Sequence, residues 1–517
     1  MSSFKLRALA GACALLGASP LATAGHAQTT TISGGGSTLL ASAWAETILC
    51  FDNDTANRTY LLAGIPVGVI STITTSESGC PHDKRSLIQY DAADSGAGQA
   101  GLLAHAAVIG QPSAVIFGST DTAGLDPVYP SIQYGLSENS LVNSDLVTYD
   151  KGTSASETLA FNGNSGLFSS PASYQGLVFN SSGTTTGGAS GTDYPIPKPL
   201  YGALVQFPVS VDAVALAYNP TYDGGQTFHI NTGSLHLSKV AYCGIMTGTI
   251  TDWNDPVLTA LNNGSLTNNT PVPIVLIGRF DNSGTTSVFT RHLAAVCGSS
   301  DYTSGTLTLP FPASSLFTEE EGSAGVVDAI HETPSSIGYI GADFVTPVTG
   351  ATLVAAALQN ASGNFELPTT ATALAAFATL SPPQSNSDGS FNASDLTTDR
   401  RDPTQWVQST AATAPLADPT AAGAYPIVGT TNFIAYTCYA NAAQLTTLKS
   451  FLVFGQQALA GDILADANLA QPPANWITAI KGTFFPGGDA ASLNLFFATA
   501  GSASQNTACA ASGVVGG

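Results

Sequence analysis

Basic charge is what this sequence has least of: 14 Lys and Arg stand against 35 Asp and Glu in 517 residues. Nucleic acid is therefore a poor partner, because phosphate-backbone binding rests on Lys and Arg. Charged residues of both signs make up only 9% of the chain, so its surface must be built largely from Ser, Thr, Asn, Gln and Gly. The 7 histidines (His26, His82, His105, His229, His236, His292 and His331) form no HxH or HExxH pattern, and no CxxC or close Cys/His cluster is present. These absences argue against a zinc site and leave no metal or cofactor expected. Past the first residues no apolar run approaches the ~20 residues of a spanning helix. A fixed repeat of ~20–50 residues, the mark of a solenoid, is also missing.

What is present begins with an export signal. Lys5 and Arg7 precede an apolar run from Ala8 to about Leu21, followed by small residues with cleavage points after Ala24 or Ala27. Cleavage after Ala27 takes residues 1–27 away as a signal peptide, with no integral membrane segment left. The mature chain then has 12 basic and 35 acidic side chains, a formal charge of −23, since Lys5 and Arg7 leave with the signal. Its length suits two or three compact units at ~100–200 residues each. Loss of Cys13 leaves Cys50, Cys80, Cys243, Cys297, Cys438 and Cys509, an even set that suggests disulfides in an exported chain.

Regular patterning comes in short blocks. Thr31-Ile32-Ser33 reads as a strand, Gly34-Gly35-Gly36-Ser37-Thr38 as a turn, and Leu39 to Phe51 as a helix with Leu40, Trp44 and Ile48 on one face. Tyr90 to Ile109 repeats this plan around Asp94-Ser95-Gly96-Ala97-Gly98. Ala114 to Phe117 reads as a buried strand running into Gly118-Ser119-Thr120-Asp121. From about Asn139 to Tyr194 the chain turns Ser-, Gly-, Thr- and Asn-rich, as an insertion would. Patterning returns at Phe207–Val211, followed by Ala213–Tyr218, a stretch that suits a buried strand. Val275 runs through Gly278-Arg279-Phe280-Asp281-Asn282-Ser283-Gly284-Thr285-Thr286 into a helix bearing Phe289, Leu293 and Val296. Ser336–Ile340 is a further strand, Pro382–Ala424 a second polar stretch, Tyr425–Tyr439 strands, and Leu445–Ala467 a helix. Alternating strands and helices predict an α/β fold with largely parallel sheets.

Three of these blocks share one design: strand, small polar turn, helix start. A helix N-terminus presents unpaired N–H groups and partial positive charge, which suits an anion. Thr38, Ser95, Ser283 and Thr285 each place a hydroxyl at such a start, although Ser and Thr are also ordinary N-caps. Arg279, four residues before Ser283, adds a planar fork suited to two phosphate oxygens. Asp281 stands where it could hold that guanidinium or cap the following helix.

The string Ile32-Ser33-Gly34-Gly35-Gly36-Ser37-Thr38-Leu39 resembles the opening of the DING proteins, within the class of phosphate-binding proteins that serve ABC transporters. Similar strings are Phe117 to Asp121, Phe207 to Tyr218, Cys243-Gly244 with Ile250-Thr251-Asp252-Trp253, Arg279 to Thr285, Phe289-Thr290-Arg291, Ser336 to Tyr339, and Tyr425 to Gly429. The resemblance implies a two-lobed periplasmic-binding-protein fold with two crossovers, near Val211 and near Tyr425. Lobe I would comprise 28–211 and 425–517 and lobe II 212–424, with insertions near 51–88, 122–203 and 360–422. It implies that inorganic phosphate meets Thr38, the Leu39 N–H, Ser95, Asp121, Arg279 and the Ser283-Gly284-Thr285 turn. Leu39 stands where transporter-type members have Phe, at a position that acts through its backbone. Asp94 puts an extra carboxylate beside Ser95. Pairing Cys243 with Cys297 and Cys438 with Cys509 follows the same resemblance; Cys50 and Cys80 remain and would close the first insertion.

The implied function is high-affinity phosphate binding outside the cytoplasm, in the periplasm or extracellular space, selective over sulfate. An ABC-transporter permease is a possible partner. Two other classes compete: a secreted phosphoester hydrolase, and a matrix or adhesion protein that kept the fold. A hydrolase needs an activated nucleophile or metals, and the scattered histidines supply no pattern for either.

Overall fold

The computed structural model describes residues 30–52, 79–83, 85–104, 131–142, 201–298, 301–312, 316–346, 353–383, 403–410, 414–485 and 495–502, with shorter pieces between them. Residues 1–27, expected as a signal, most of the insertions expected near 51–88 and 122–203, and Asp121 lie outside the described residues.

The elements that position the site are few. In the first half β1 (Thr30–Gly36) leads to α1 (Ala41–Asp52), β2 (Ser86–Asp91) leads to α2 (Ser95–Ala104), and β3 (Tyr134–Ser137) follows. A long strand, β4 (Leu204–Tyr218), then enters the second half, where α3 spans Lys239–Thr247. There β5 (Val275–Arg279) leads to α4 (Gly284–Val296), β6 (Leu316–Glu320) to α5 (Gly322–Glu332), and β7 (Ser336–Gly341) follows. After α6 (Pro403–Thr410), strand β8 (Val428–Tyr436) returns to the first half, which α7 (Ala442–Phe454), α8 (Ala458–Asp466) and α9 (Ala474–Phe484) complete.

These strands form one sheet in the order β6-β5-β7-β4-β8-β3-β1-β2. Within each half the expected parallel pairing holds: β1 with β2 and β3, and β5 with β6 and β7. The strands that join the halves are antiparallel. Residues Leu204–Ala213 of β4 pair with β8, and Val214–Tyr218 pair with β7. The buried strand expected from Phe207 to Tyr218 starts earlier, at Leu204 of β4. Its register shifts between Pro208 and Ser210, where Pro cannot donate to the ladder and a bulge absorbs the defect.

Three other expectations change. The single helix expected over Leu445–Ala467 is two, because α7 ends at Gly455 and α8 starts at Ala458. The polar stretch 382–424 contains α6, anchored by the fully buried Trp406, whose ring packs 4.9 Å from Phe484. Val115–Ile116 pairs antiparallel with Val108–Ile109 in a small ribbon apart from the main sheet.

Three disulfides join Cys50 to Cys80, Cys243 to Cys297, and Cys438 to Cys509. They close loops of 30, 54 and 71 residues, which in the chain-entropy picture contributes about 3–4 kcal/mol each. The second ties α3 to the C-terminus of α4.

Candidate functional site

The strands β1, β2, β5 and β6 each lead to a helix start, and these starts meet between the two halves. The β1 turn depends on glycine. Gly36 has φ +134°, and a side chain there would run into the Leu136 carbonyl. A Cβ on Gly98 would sit 2.6 Å from the Gly36 Cα. These bare backbones let the start of α2 press against the β1 turn. Asp94, the carboxylate that seemed awkward beside an anion, accepts from the Ala97 N–H and so caps α2.

At the end of β3 stands Glu138, which is buried. Its Oε2 accepts from Ser95 Oγ at 2.7 Å; its Oε1 accepts from Thr431 Oγ1 at 2.8 Å and from Ser37 Oγ.

The second half contributes Arg279 at the end of β5, 2% exposed. Its Nε donates to Asp281 Oδ1 at 2.6 Å and its Nη2 to Asp281 Oδ2, a bidentate pair. Burial acts to lower the Arg279 pKa, but Asp281 more than offsets it, and the net shift is upward. Asp281 Oδ1 also accepts from the Gly322 N–H at the start of α5. The side chain that caps α4 is Ser283, accepting from the Thr286 N–H at 3.1 Å. Thr286 Oγ1 in turn lies 2.8 Å from Tyr339 Oη, which accepts from the Arg279 N–H.

The two halves touch across the site. Thr38 Oγ1 is 3.1 Å from Ser323 Oγ on α5, and Arg279 Nη1 donates to the same Ser323 oxygen at 3.4 Å. The Gly96 N–H donates to the Asn282 carbonyl at 3.2 Å, and Ser287 Oγ to Asn139 Oδ1 at 3.0 Å. Gly284 meets Ser95 and Glu138 so closely that a Cβ would overlap both. Thr285 Oγ1 and Asn282 Oδ1 are buried with no hydrogen-bond partner among the described residues.

Thr38, Ser95, Arg279, Ser283, Gly284 and Thr285 thus fall in one neighbourhood. Leu39 is fully buried with its side chain toward Gly341, which leaves its backbone to face the turn. Glu138, Ser323 and Thr431 were missed in the sequence. Glu138 carried a usable pattern: Tyr134-Gly135-Leu136-Ser137-Glu138 has the same aromatic, Gly, any residue, hydroxyl, acid order as Phe117-Gly118-Ser119-Thr120-Asp121. Thr431 lies inside an unbroken buried strand and offers no such cue.

His292 is engaged elsewhere. Its Nε2 is 2.9 Å from Tyr242 Oη and its Nδ1 2.7 Å from the Ala417 carbonyl. Burial pushes its pKa down to about 4, so the ring is neutral, with Nδ1–H the donor to Ala417.

Residues 198–454 match the sequence model of a PBP superfamily domain. The chain is 29% identical over 299 residues to a protein named Alkaline phosphatase L from Pseudomonas aeruginosa strain UCBPP-PA14, covering 55% of this chain and 68% of that one. It is 29% identical over 314 residues to a protein named Phosphate-binding protein from an unknown prokaryotic organism, covering 57% and 76%. Among solved structures, a high-affinity periplasmic phosphate-binding protein bound with phosphate superposes with TM-score 0.56 at 21% identity, covering 90% of this chain and 96% of that one.

Proposed function

We propose that this chain, a member of the PBP superfamily through its residues 198–454, captures inorganic phosphate between its two halves. The observation that carries the reading is convergence. Helix starts at Thr38, Ser95 and Ser283–Thr285, the Arg279 guanidinium and the Glu138 carboxylate meet where strand ends of both halves face each other. N–H groups, hydroxyls and a guanidinium in a water-poor site bind an oxyanion despite an acidic chain. Arg279 is held by Asp281, so its remaining N–H groups are aimed before the ligand arrives.

Glu138 takes the part of the carboxylate that reads phosphate's proton, a part the sequence resemblance gave to Asp121. Delivery to a transporter permease and residence in the periplasm fit relatives named for phosphate binding. A second reading, phosphoester hydrolysis, draws on the name of the Pseudomonas relatives.

One experiment addresses both readings. Phosphate at about 100 times its dissociation constant should stabilise the protein by ~2.7 kcal/mol. Arg279→Ala alone would leave Asp281 buried and unpaired, at a cost of ~3–5 kcal/mol. The informative variant is therefore Arg279→Gln with Asp281→Asn, which removes both charges. It should lose most of the phosphate-induced rise in melting temperature, and the wild type should release no phosphate from an aryl phosphate ester. A full thermal shift in the double variant contradicts the site. Steady release by the wild type that is lost in the double variant supports the hydrolase.

A further inference from the structure

Behind Glu138 lie two more buried carboxylates that the anion site does not use. Asp212 comes from β4 and Asp343 from the turn after β7; the antiparallel register of Val214 with Gly341 brings them side by side. Asp212 is 1% and Asp343 7% exposed, and both Asp343 oxygens lack a hydrogen-bond partner among the described residues. Thr431 links the group: its Oγ1 is 2.8 Å from Glu138 Oε1 and 2.7 Å from Asp212 Oδ2. A hydroxyl has one hydrogen to donate. With Glu138 already accepting from Ser37 and Ser95, both contacts are satisfied when Thr431 donates to Glu138 and a protonated Asp212 donates to Thr431.

Arg279 is paired with Asp281, and among the described residues no positive charge acts on Asp212 or Asp343. The charges acting on Asp212 and Asp343 include Glu138, and Asp212 also acts on Asp343, all of one sign. The helix Thr370–Phe377 and α6, which pack on β4, carry no ionisable side chain, and neither does β8 apart from the phenol of Tyr436. The Tyr90 hydroxyl, which donates to the Ser37 carbonyl, faces Glu138 from β2. Burial first, and then Glu138, push Asp212 up to about 7; burial first, and then its two acidic neighbours, push Asp343 well above the carboxylate range.

We propose that Asp212 and Asp343, behind Glu138, form a proton reservoir coupled to the anion site, taking up a proton when phosphate arrives against Glu138 and releasing it when phosphate leaves. The inference rests on the phosphate reading above. A new negative charge in front of Glu138 disfavours the ionised forms of Asp212 and Asp343 behind it, so their proton affinity is higher in the bound state. By linkage, phosphate affinity then falls as pH rises through the window above the Asp212 value of about 7.

The test is calorimetric titration of inorganic phosphate at about pH 8, where the ligand is already largely the dianion, in two buffers of different protonation heat. The wild type should take up a fraction of a proton, on the order of one half. Asp212→Asn, whose amide can still donate to Thr431, should bind phosphate with little or no uptake. Asp343→Asn, which removes the other acid, should also reduce the uptake and answers the question should the first variant fail to fold. Binding with the same proton number in wild type and a folded variant overturns this inference alone. No binding heat in any buffer overturns the phosphate reading and this inference with it.

Discussion

Glu138 accepts from Ser37, Ser95 and Thr431, which occupies three of a carboxylate's roughly four acceptor sites. The remaining site suits a ligand that still carries a proton. Phosphate does so at neutral pH and sulfate does not, so sulfate would face the carboxylate with lone pairs alone. An unpaired buried charge costs several kcal/mol, which at ~1.4 kcal/mol per decade is discrimination of roughly a thousandfold. Glu138→Gln should narrow that gap, mainly by improving sulfate binding, because an amide can donate as well as accept. Competition titrations with both anions check this; unchanged sulfate affinity in the variant would contradict the role. At this scale the sequence was only partly legible. Arg279 and the hydroxyls at helix starts were readable because their chemistry is local. Glu138 was not singled out, although its segment carries the same aromatic-Gly-hydroxyl-acid pattern as the one ending in Asp121, because only the fold shows that it reaches Ser95; Asp121 lies outside the described residues.

The strand–turn–helix units are the level at which the chain was most readable. Helical spacing in α1 and α4 and the buried run of β4 follow from core packing, which leaves a periodic trace. The break between α7 and α8 left little trace, since apolar residues continue across Gly455 at helical spacing. Helix α6 was hidden for the opposite reason: it is polar, and a single aromatic, Trp406, seats it against Trp476 and Phe484. The close fit of α4 against the first half gives a direct test of closure. Gly284 occupies the first helical position of α4, where alanine is well tolerated. A Cβ there would overlap Ser95 Oγ and Glu138 Oε2 of the first half. On the proposed capture of phosphate between the halves, Gly284→Ala should weaken phosphate binding by at least about tenfold, ~1.4 kcal/mol. Unaltered affinity would mean that this contact plays no part in the bound state.

The whole molecule sets a formal charge of −21 against a small site built to hold an anion. Long-range repulsion is screened by salt over ~8–10 Å, whereas the N–H groups and Arg279 act at contact distance. The fold makes this possible by joining two parallel half-sheets through β4 and β8, so that the strand ends of each half converge on one place. The central claim is that this place binds one phosphate. Calorimetric titration of protein unfolded and refolded to strip bound ligand tests it most directly. The account predicts one saturable phosphate site per chain with Kd below about 1 µM, equivalent to ~8 kcal/mol, and sulfate weaker by roughly a thousandfold. Absence of saturable phosphate heat, or sulfate bound as tightly as phosphate, would contradict it.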